Sequence, residues 1–383
     1  MCKDEDGIWF LKAKQNVGFF IKNSLNVFDV HNKDLLSHGS QGEGVRRLVV
    51  VDEKVHEIYG SKIREYLRHN QVNFKIVIID AIEEQKNLET LIYLLNEIES
   101  FGLNRRNEPI IAVGGGVLLD IAGLAANLYR RGVPYIRIPT TLLSLVDASV
   151  GAKTGINFNE RRNRLGSYYL PLASYLDTNF LKTLEIVEIS SGLGEILKMA
   201  VVKDKKLFEM LQFSGKKLYK EKFENCHEAA EVIGRTISGM KDELQQNLWE
   251  QNLERYVDFG HSFSPILEIR SLTDSTVKSL THGQAVALDV IFSCVISHIR
   301  NMLTQDEVLS VITVSRTMGL PVFHPYFGNI DFLIEALNDT KKHRNGNQNL
   351  PIPISIGKSI FINDLQYDEI QRSIDVMKNL INI

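Results

Sequence analysis

The chain has 383 residues, of which 44% are apolar and 24% charged, so it suits two globular domains of ordinary composition. Its formal net charge of −3 argues against a general nucleic-acid binder or a protein held on anionic membranes. Three scattered cysteines, Cys2, Cys226 and Cys294, form no CxxC pair, which argues against thiolate chemistry and favours a reducing compartment. Residues 1–7 are charged, and no apolar run approaches the roughly 18 residues of a membrane span, so we expect a cytoplasmic protein without a signal peptide.

The first half of the chain alternates strand and helix patterns. Residues 17–30 predict a hairpin or two edge strands, and residues 39–44 a glycine-rich turn. Apolar runs and helical spacing then predict, in order, strand 47–51, a helix to about residue 68, strand 74–79, helix 87–99, strand 110–113, helix 117–130 and strand 135–138. This alternation predicts parallel βαβ units and a Rossmann-like α/β domain over residues 1–187.

The second half has a different pattern, with long stretches of helical spacing. Helices are predicted at 193–202, 229–244, 284–302, 306–318, 330–337 and 367–379. The prolines of 351–354 favour an extended segment there. We therefore expect a mainly α-helical domain over residues 188–383.

A glycine turn, Gly114-Gly115-Gly116, lies where a predicted strand ends and a helix begins. Backbone N–H groups at such a turn bind a pyrophosphate, and the helix dipole favours the anion. Leu119 occupies the last glycine position of GxGxxG, so a tight turn without a ligand remains an equal alternative. Asp120 is a candidate to bond a ribose or nicotinamide amide, or else a solvated carboxylate in the first helical turn.

Three further polar residues, Asp52, Glu83 and Lys86, follow earlier strands. They fall at the sheet edge where a ribose lies in an open α/β sheet. Taken singly, each is more often a surface charge.

A second cluster suits a phosphorylated sugar. Asp147 and Lys153 are six residues apart in a glycine-rich segment, and together they can bind hydroxyls and phosphate. Arg162 and Asn163 add donors, and Arg130-Arg131 adds positive charge. The alternative is a set of surface ion pairs of small energetic value.

A third cluster has the composition of a catalytic zinc site. Glu195, His261 and His282 offer one carboxylate and two imidazoles, which leaves an open position on a tetrahedral metal. Hydrogen-bonded structural histidines are the alternative. Lys198 shares a helix face with Glu195, and His343 is a candidate to line the same cavity.

Five motifs together carry a family resemblance. They are Gly114–Gly116 with Asp120, Thr140-Thr141-Leu142-Leu143, Gly194-Glu195-Ile196-Leu197-Lys198, Gly260-His261-Ser262-Phe263 and His282-Gly283-Gln284-Ala285-Val286. Over nearly its whole length the chain resembles the sugar phosphate cyclases, the superfamily that includes 3-dehydroquinate synthase.

The resemblance implies cofactors, site residues and a partner subunit. It implies NAD on the first domain, with Thr140, Thr141, Phe180, Thr183 and Leu184 around it, and zinc, replaceable by Co²⁺, on Glu195, His261 and His282. It places the substrate against Asp147, Lys153, Asn163 and Lys198, and gives catalytic roles to Lys198, Lys153, Asp147 and Glu195. It also implies a homodimer in which Arg131 reaches the neighbouring subunit's site.

Two departures from 3-dehydroquinate synthase indicate the branch. Asp258 and Pro265 stand where that enzyme has asparagine and histidine. Asp258 would repel a substrate carboxylate, and Pro265 offers it no hydrogen-bond donor. The two residues therefore suit a substrate with a neutral, hydroxyl-rich end. The segments 243–250, 258–265 and 343–346 resemble the branch that acts on sedoheptulose 7-phosphate. In that branch 2-epi-5-epi-valiolone synthases are the nearer resemblance, and desmethyl-4-deoxygadusol synthases share the segments.

The resemblance also implies a reaction course. NAD transiently oxidises a ring hydroxyl beside zinc, phosphate is eliminated with help from Lys153, Arg162 and Arg131, the ketone is reduced again, and an intramolecular aldol addition closes the carbocycle. Lys198 would move protons if its neighbours and the metal depress its pKa. Three other functions remain open: 3-dehydroquinate synthase, an NAD- and metal-dependent polyol dehydrogenase, and a non-catalytic NAD-binding regulator.

Overall fold

The computed structural model describes residues 9–14, 16–42, 44–159 and 161–382. The expectation for residues 1–7 and the position of Cys2 lie outside the described residues. Within them the first half contains strands β1 (Phe20–Asn23), β2 (Arg46–Asp52), β3 (Asn73–Ile79), β4 (Ile110–Gly114), β5 (Tyr135–Pro139), β6 (Lys153–Phe158), β7 (Arg161–Tyr168) and β8 (Ala173–Leu176), and helices α1 (Glu53–His69), α2 (Leu88–Phe101) and α3 (Gly116–Leu128).

The first half forms the predicted parallel sheet. Its described strands are ordered β1-β8-β5-β4-β2-β3, and every neighbouring pair is parallel. All five residues of β4 and of β5 are buried, as expected for strands covered by helices on both faces. The carboxyl ends of β2, β4 and β5 therefore lie side by side, which is where ligands bind in open α/β sheets.

The prediction of a hairpin or two strands at 17–30 is wrong, because only β1 forms, and it pairs in parallel with β8. After β1 the chain turns, and the Asp177 carboxylate accepts a hydrogen bond from the Val27 N–H at 2.9 Å. That bond satisfies backbone that a second strand would otherwise have paired. β8 was not predicted, since four residues carry too little periodicity.

The segment read as a glycine-rich loop instead forms an antiparallel hairpin, β6–β7. Gly155 faces Gly166 across it, and a Cβ on Gly166 would come within 2.5 Å of the Thr154 carbonyl oxygen. The glycines therefore allow close approach of two strands. The hairpin carries Lys153, Arg162 and Asn163.

The second half is mainly helical, as predicted, although α5 and α7 were missed. Its described elements are α4 (Ile186–Lys203), α5 (Lys205–Lys220), α6 (Ala229–Gln246), α7 (Ser264–Thr273), α8 (His282–Ile299), α9 (Gln305–Thr317), α10 (Ile330–His343), β9 (Leu350–Ser355), β10 (Lys358–Ile362) and α11 (Tyr367–Leu380). The last strand of the sheet ends at Leu176 and α4 begins at Ile186. The domain boundary between residues 187 and 188 stays a prediction.

Helix α8 is the centre of the helical half. Its 18 residues have a mean hydropathy of 1.3, so by length and composition alone the helix could cross a membrane. Within the protein, however, 83% of that window is buried, as in the core helix of a globular fold.

Helices α4 and α8 meet at two glycines. A Cβ on Gly283 would lie 1.7 Å from the Ser191 carbonyl oxygen, and one on Gly194 would lie 2.0 Å from the Gly283 carbonyl oxygen. Only glycine permits this approach of two backbones. Because Glu195 follows Gly194 and His282 precedes Gly283, the contact brings these two side chains together.

Candidate active site

One cleft of about 1890 Å³ runs between the carboxyl edge of the sheet and the helical half. Its volume exceeds that of a pocket for one small ligand, and suits a dinucleotide together with a sugar phosphate. The predicted site residues that line it are Asp52, Glu83, Lys86, Gly115, Gly116, Asp120, Thr140, Thr141, Asp147, Lys153, Arg162, Asn163, Thr183, Lys198, Asp258, His261, His282 and His343.

Five predicted residues lie outside this lining among the described residues. Glu195 is 2% exposed and lies behind the two histidines. Gly114 is the buried end of β4, and Phe180 packs edge-on against Tyr59 at a ring-centroid distance of 4.9 Å. Leu184 packs against the helical core, and Arg131 lies beyond the far end of α3.

The glycine turn is open to the cleft. Gly115 precedes α3 and no side chain caps the helix start, while a Cβ on Gly116 would meet nothing within 4 Å among the described atoms. The N–H groups of the first turn are therefore available to an anion, and the backbone leaves room for one. This geometry fits the pyrophosphate of NAD.

The neighbouring sheet end offers polar groups for the rest of a dinucleotide. Asp52 is the N-cap of α1, where its Oδ1 accepts the N–H groups of Lys54 and Val55 at 3.0 and 3.2 Å. Lys86 is 5% exposed, and its Nζ donates to Oδ2 of Asp120 and to Oδ1 of Asn163, each at 2.6 Å. Asp120 is thus an ion-pair partner and not a solvated carboxylate.

Arg162 and Glu83, proposed from the sequence as ligand-binding residues, pair with each other. Arg162 donates from Nε and Nη2 to the two oxygens of Glu83 at 2.8 and 2.7 Å, and from Nη1 it pairs with Glu268. Burial would lower the pKa of Arg162, but the two carboxylates outweigh it and raise that pKa. A phosphate bound by Arg162 must compete with two carboxylates already in place.

The charged side chains at the far end of the cleft also form ion pairs. Lys153 Nζ lies 2.6 Å from Oε1 of Glu250, and Arg255 donates to Oδ2 of Asp258 at 2.7 and 3.0 Å. Burial would raise the pKa of Asp258, but Arg255 and then Arg344 outweigh it and lower that pKa. Asp258 therefore carries the negative charge expected of it, and Arg255 pairs with that charge.

The three predicted metal ligands come together. One ligand atom from each of Glu195, His261 and His282 lies within 4.8 Å of the others. His282 Nε2 is 3.2 Å and His261 Nε2 is 3.6 Å from Oε1 of Glu195. Both Glu195 oxygens are buried, and among the described atoms neither accepts a well-formed hydrogen bond. A buried carboxylate facing two imidazoles fits a zinc ion with an open position.

The second nitrogen of each imidazole is already engaged. His261 Nδ1 lies 3.1 Å from the Phe259 carbonyl oxygen, and His282 Nδ1 lies 3.1 Å from Oε2 of Glu268. With Nδ1 as the donor in each bond, Nε2 is the atom left to ligate a metal.

The protonation states differ across the cluster. Burial lowers the pKa of His261 to about 4. Burial opposes ionisation of Glu195, but Lys198 and the imidazoles lower its pKa. For His282, burial is outweighed by Glu268 and Glu195, which raise its pKa to about 10. A metal must therefore displace a proton from His282.

Lys198 and Asp147 adjoin this cluster. Lys198 is 1% exposed and forms an ion pair with Oε2 of Glu195. Burial would lower the pKa of Lys198, but Glu195 and then Asp147 outweigh it and raise that pKa. The protein's own neighbouring groups therefore raise the pKa of Lys198 and do not depress it. Burial and the nearby Glu195 raise the pKa of Asp147.

Sequence reasoning missed two supporting carboxylates. Glu268 carried no motif, although it contacts both His282 and Arg162. Asp289 is fully buried on α8, and its Oδ2 accepts the N–H groups of Ser262, Phe263 and Ser264 at 2.6–2.9 Å. It thereby fixes the turn that follows His261. An aspartate inside an apolar helix was the signal that could have identified it.

Two family models match consecutive parts of this chain. The 3-dehydroquinate synthase N-terminal model matches residues 76–191, and the 3-dehydroquinate synthase C-terminal model matches residues 192–343. The chain belongs to the 3-dehydroquinate synthase family, and both the resemblance and the fold class expected from the sequence are confirmed.

Relatives within the family identify a particular branch. The chain is 42% identical to a 2-epi-5-epi-valiolone synthase of Actinomyces sp over 379 residues, which cover 97% of this chain and 98% of the relative. A solved structure of ValA, the 2-epi-5-epi-valiolone synthase of Streptomyces hygroscopicus subsp. jinggangensis 5008 with NAD⁺ and Zn²⁺ bound, matches with a TM-score of 0.90 at 41% identity, covering 97% of this chain and 99% of that one. The demethyl-4-deoxygadusol synthase of Trichormus variabilis is 32% identical over 361 residues, 92% of this chain and 86% of the relative.

Proposed function

We propose that this protein is a sugar phosphate cyclase that converts sedoheptulose 7-phosphate to 2-epi-5-epi-valiolone with loss of phosphate, using catalytic NAD and zinc. The observation that carries the proposal is that one cleft contains both an uncapped helix start suited to a pyrophosphate and the Glu195–His261–His282 cluster. Identity supports the branch, at 42% to a valiolone synthase against 32% to a demethyl-4-deoxygadusol synthase.

Each half of the cleft has its own part in this proposal. When bound, NAD supplies reversible hydride acceptance, and zinc on Glu195, His261 and His282 supplies Lewis-acid polarisation of the reacting oxygen. Phe180, Thr183 and Leu184 support the cofactor side, where Thr183 reaches the cleft and Phe180 packs beneath it.

Lys198 carries a proton next to the reacting oxygen. It forms an ion pair with Glu195 and lines the cleft, so as an ammonium it donates to developing negative charge on the substrate. Asp147 balances that charge. Because Lys198 is buried and Asp147 is half-buried, water screens the interaction only weakly.

The β6–β7 hairpin binds the phosphate end. Lys153 is 60% exposed on its side chain, so it can leave Glu250 and reach a phosphate at little cost. Arg162 and Asn163 add donors from the adjacent strand. At the other end of the cleft Asp258 and His343 face the hydroxyls of the sugar, with Asp258 accepting a hydroxyl hydrogen bond.

A homodimer is part of this proposal. Arg131 ends the turn after α3, so a helix of about 20 Å separates it from the glycine turn of its own subunit. Arg130 and Arg131 both have positive φ, at 49° and 61°, a conformation that costs roughly 1–3 kcal/mol for each residue and is common at functional sites. Arg131 is therefore suited to a site on a second subunit. The described free thiols, Cys226 and Cys294, favour a cytoplasmic location.

Product identification tests the proposal. Purified protein is incubated with sedoheptulose 7-phosphate, NAD and zinc, and the product is identified by NMR and mass spectrometry. A valiolone-type cyclitol is expected. Lys198→Met should abolish formation of the cyclitol. The control is Lys203→Met, because Lys203 lies on α4 like Lys198 but pairs with Glu243 of α6; this variant should still form the cyclitol. A deoxygadusol-type product would assign the chain to the sister activity.

A further inference from the structure

Glu268 joins the metal cluster to the β6–β7 hairpin. It lies on α7, and its side chain is 8% exposed. Its Oε2 lies 3.1 Å from Nδ1 of His282, while its Oε1 forms an ion pair with Nη1 of Arg162. One carboxylate therefore contacts a proposed metal ligand through one oxygen and a proposed phosphate-binding residue through the other.

The contact with His282 orients the imidazole. A carboxylate that accepts the Nδ1 hydrogen fixes both the tautomer and the ring plane, so that Nε2 faces Oε1 of Glu195 at 3.2 Å. His261 has a backbone carbonyl in the equivalent position. The orientation of His282 therefore depends on a side chain, whereas that of His261 depends on the backbone.

The ion pair with Arg162 fixes the position of the Glu268 side chain. The guanidinium uses its Nε and Nη2 on Glu83 and its Nη1 on Glu268, so its planar fork sets the separation of the two carboxylates. The next residue, Asn163, accepts from Lys86 at 2.6 Å, which ties the same strand to the cofactor side.

We propose that Glu268 is a positioning residue that sets the orientation of His282 toward the metal and couples that orientation to the hairpin through Arg162. The inference rests on the proposed function, because it requires zinc at the cluster. It implies that Arg162 influences zinc affinity although it contacts none of the three proposed ligands.

Zinc affinity and a cobalt spectrum test the first half. Glu268→Gln should weaken zinc binding by about 10–100-fold and change the visible absorption of the Co²⁺-substituted protein, because an amide is uncharged and has only one acceptor oxygen, so it cannot accept from both His282 and Arg162. Glu335→Gln is the matched control. Glu335 lies on α10 and pairs at the surface with Arg270, which is on α7 like Glu268. An affinity and a spectrum equal to those of the control would overturn the inference.

Arg162→Lys tests the coupling with the charge retained. A lysine cannot bridge two carboxylates as the fork does, so this variant should weaken zinc binding several-fold. In the Glu268→Gln background the same change should have no further effect. Equal losses in both backgrounds would overturn the coupling. Should Glu268→Gln not fold, the single Arg162→Lys variant decides, because unchanged zinc affinity would contradict the inference.

The wild-type protein separates the two proposals. Failure of the wild type to bind zinc would overturn the proposed function. Tight wild-type binding with unchanged affinity in the variants would overturn only the role of Glu268.

Discussion

Arg255 donates two hydrogen bonds to Oδ2 of Asp258, from Nη2 at 2.7 Å and from Nε at 3.0 Å. The aspartate therefore keeps its charge inside the cleft, and the arginine is not free to bind a substrate carboxylate. We therefore expect discrimination against a carboxylated sugar to depend on the pair and not on Asp258 alone.

Asp258→Asn should reduce the preference of the enzyme for sedoheptulose 7-phosphate over a carboxylated sugar phosphate. Arg255 keeps its ion pair with Glu250 but loses the one with Asp258, so its Nε and Nη2 become available to a carboxylate, while a hydroxyl loses a charged acceptor. We expect kcat/KM for sedoheptulose 7-phosphate to fall by about 10-fold or more, and its ratio to that for the carboxylated heptulosonate of 3-dehydroquinate synthase to fall as well. Steady-state kinetics with both substrates measure this, and an unchanged ratio would show that the pair has no part in selectivity.

The three proposed metal ligands should each be required for zinc. Glu195→Gln, His261→Ala and His282→Ala should weaken zinc binding by more than about 100-fold, beyond the loss expected from a supporting residue. His298→Ala is the matched control, because His298 lies on the same helix as His282 and bonds the Leu303 carbonyl oxygen. Metal analysis of the purified variants decides the point, and full occupancy in all three would remove the assignment.

Hybrid dimers should test Arg131. Arg131→Ala and Lys198→Ala are each expected to be inactive, but a mixed dimer contains one site with both residues intact. Mixing the variants should restore partial activity once differently tagged subunits are shown to exchange. Demonstrated exchange without any recovery would place Arg131 outside the site.

Particular residues show how much of the fold and of the site could be predicted from the sequence. The buried strand at 110–113 and the helix at 229–244 were predicted because each has a clear local period, and Glu195, His261 and His282 were found through motifs. The partners of these residues could not be found in that way. Arg162 and Glu83 are 79 residues apart, and no local pattern encodes a contact that only the folded sheet creates.

The same limit applies to the electrostatics of the site. From the sequence, Lys153, Arg162 and Asp258 are charges available to a ligand. In the fold each has an opposite charge within hydrogen-bonding distance. A charge near a site is evident from sequence, whereas its neutralisation depends on the three-dimensional arrangement.

Asp204→Asn should lower stability at neutral pH but not at low pH. Asp204 caps α5 and binds Arg235 at 2.9 Å through both oxygens; burial would raise its pKa, but Arg235 lowers it below the ordinary 3.8. The ion pair therefore stabilises the fold above pH 3.8, the ordinary pKa of aspartate. This stabilisation is lost as the pH falls through the lower pKa that Asp204 has in the folded protein. Asparagine keeps the cap, so the expected loss at pH 7 is about 1 kcal/mol from the ion pair.

Urea unfolding at neutral pH and at a pH below the lowered pKa of Asp204 measures that difference. Asp242→Asn is the control, since Asp242 is exposed and lies 3.4 Å from Lys241. A loss of the same size at both pH values would show that the charge of Asp204 is not its cause.

The stoichiometry of NAD tests the central claim most directly. Protein with zinc and a small, limiting amount of NAD is given excess sedoheptulose 7-phosphate, and phosphate release is followed together with absorbance at the wavelength of NADH. A cyclase that regenerates its cofactor should release many phosphates for each NAD, one for each cyclised product, with no net NADH. Accumulation of NADH in proportion to substrate consumed, without phosphate release, would contradict the account and identify a dehydrogenase instead.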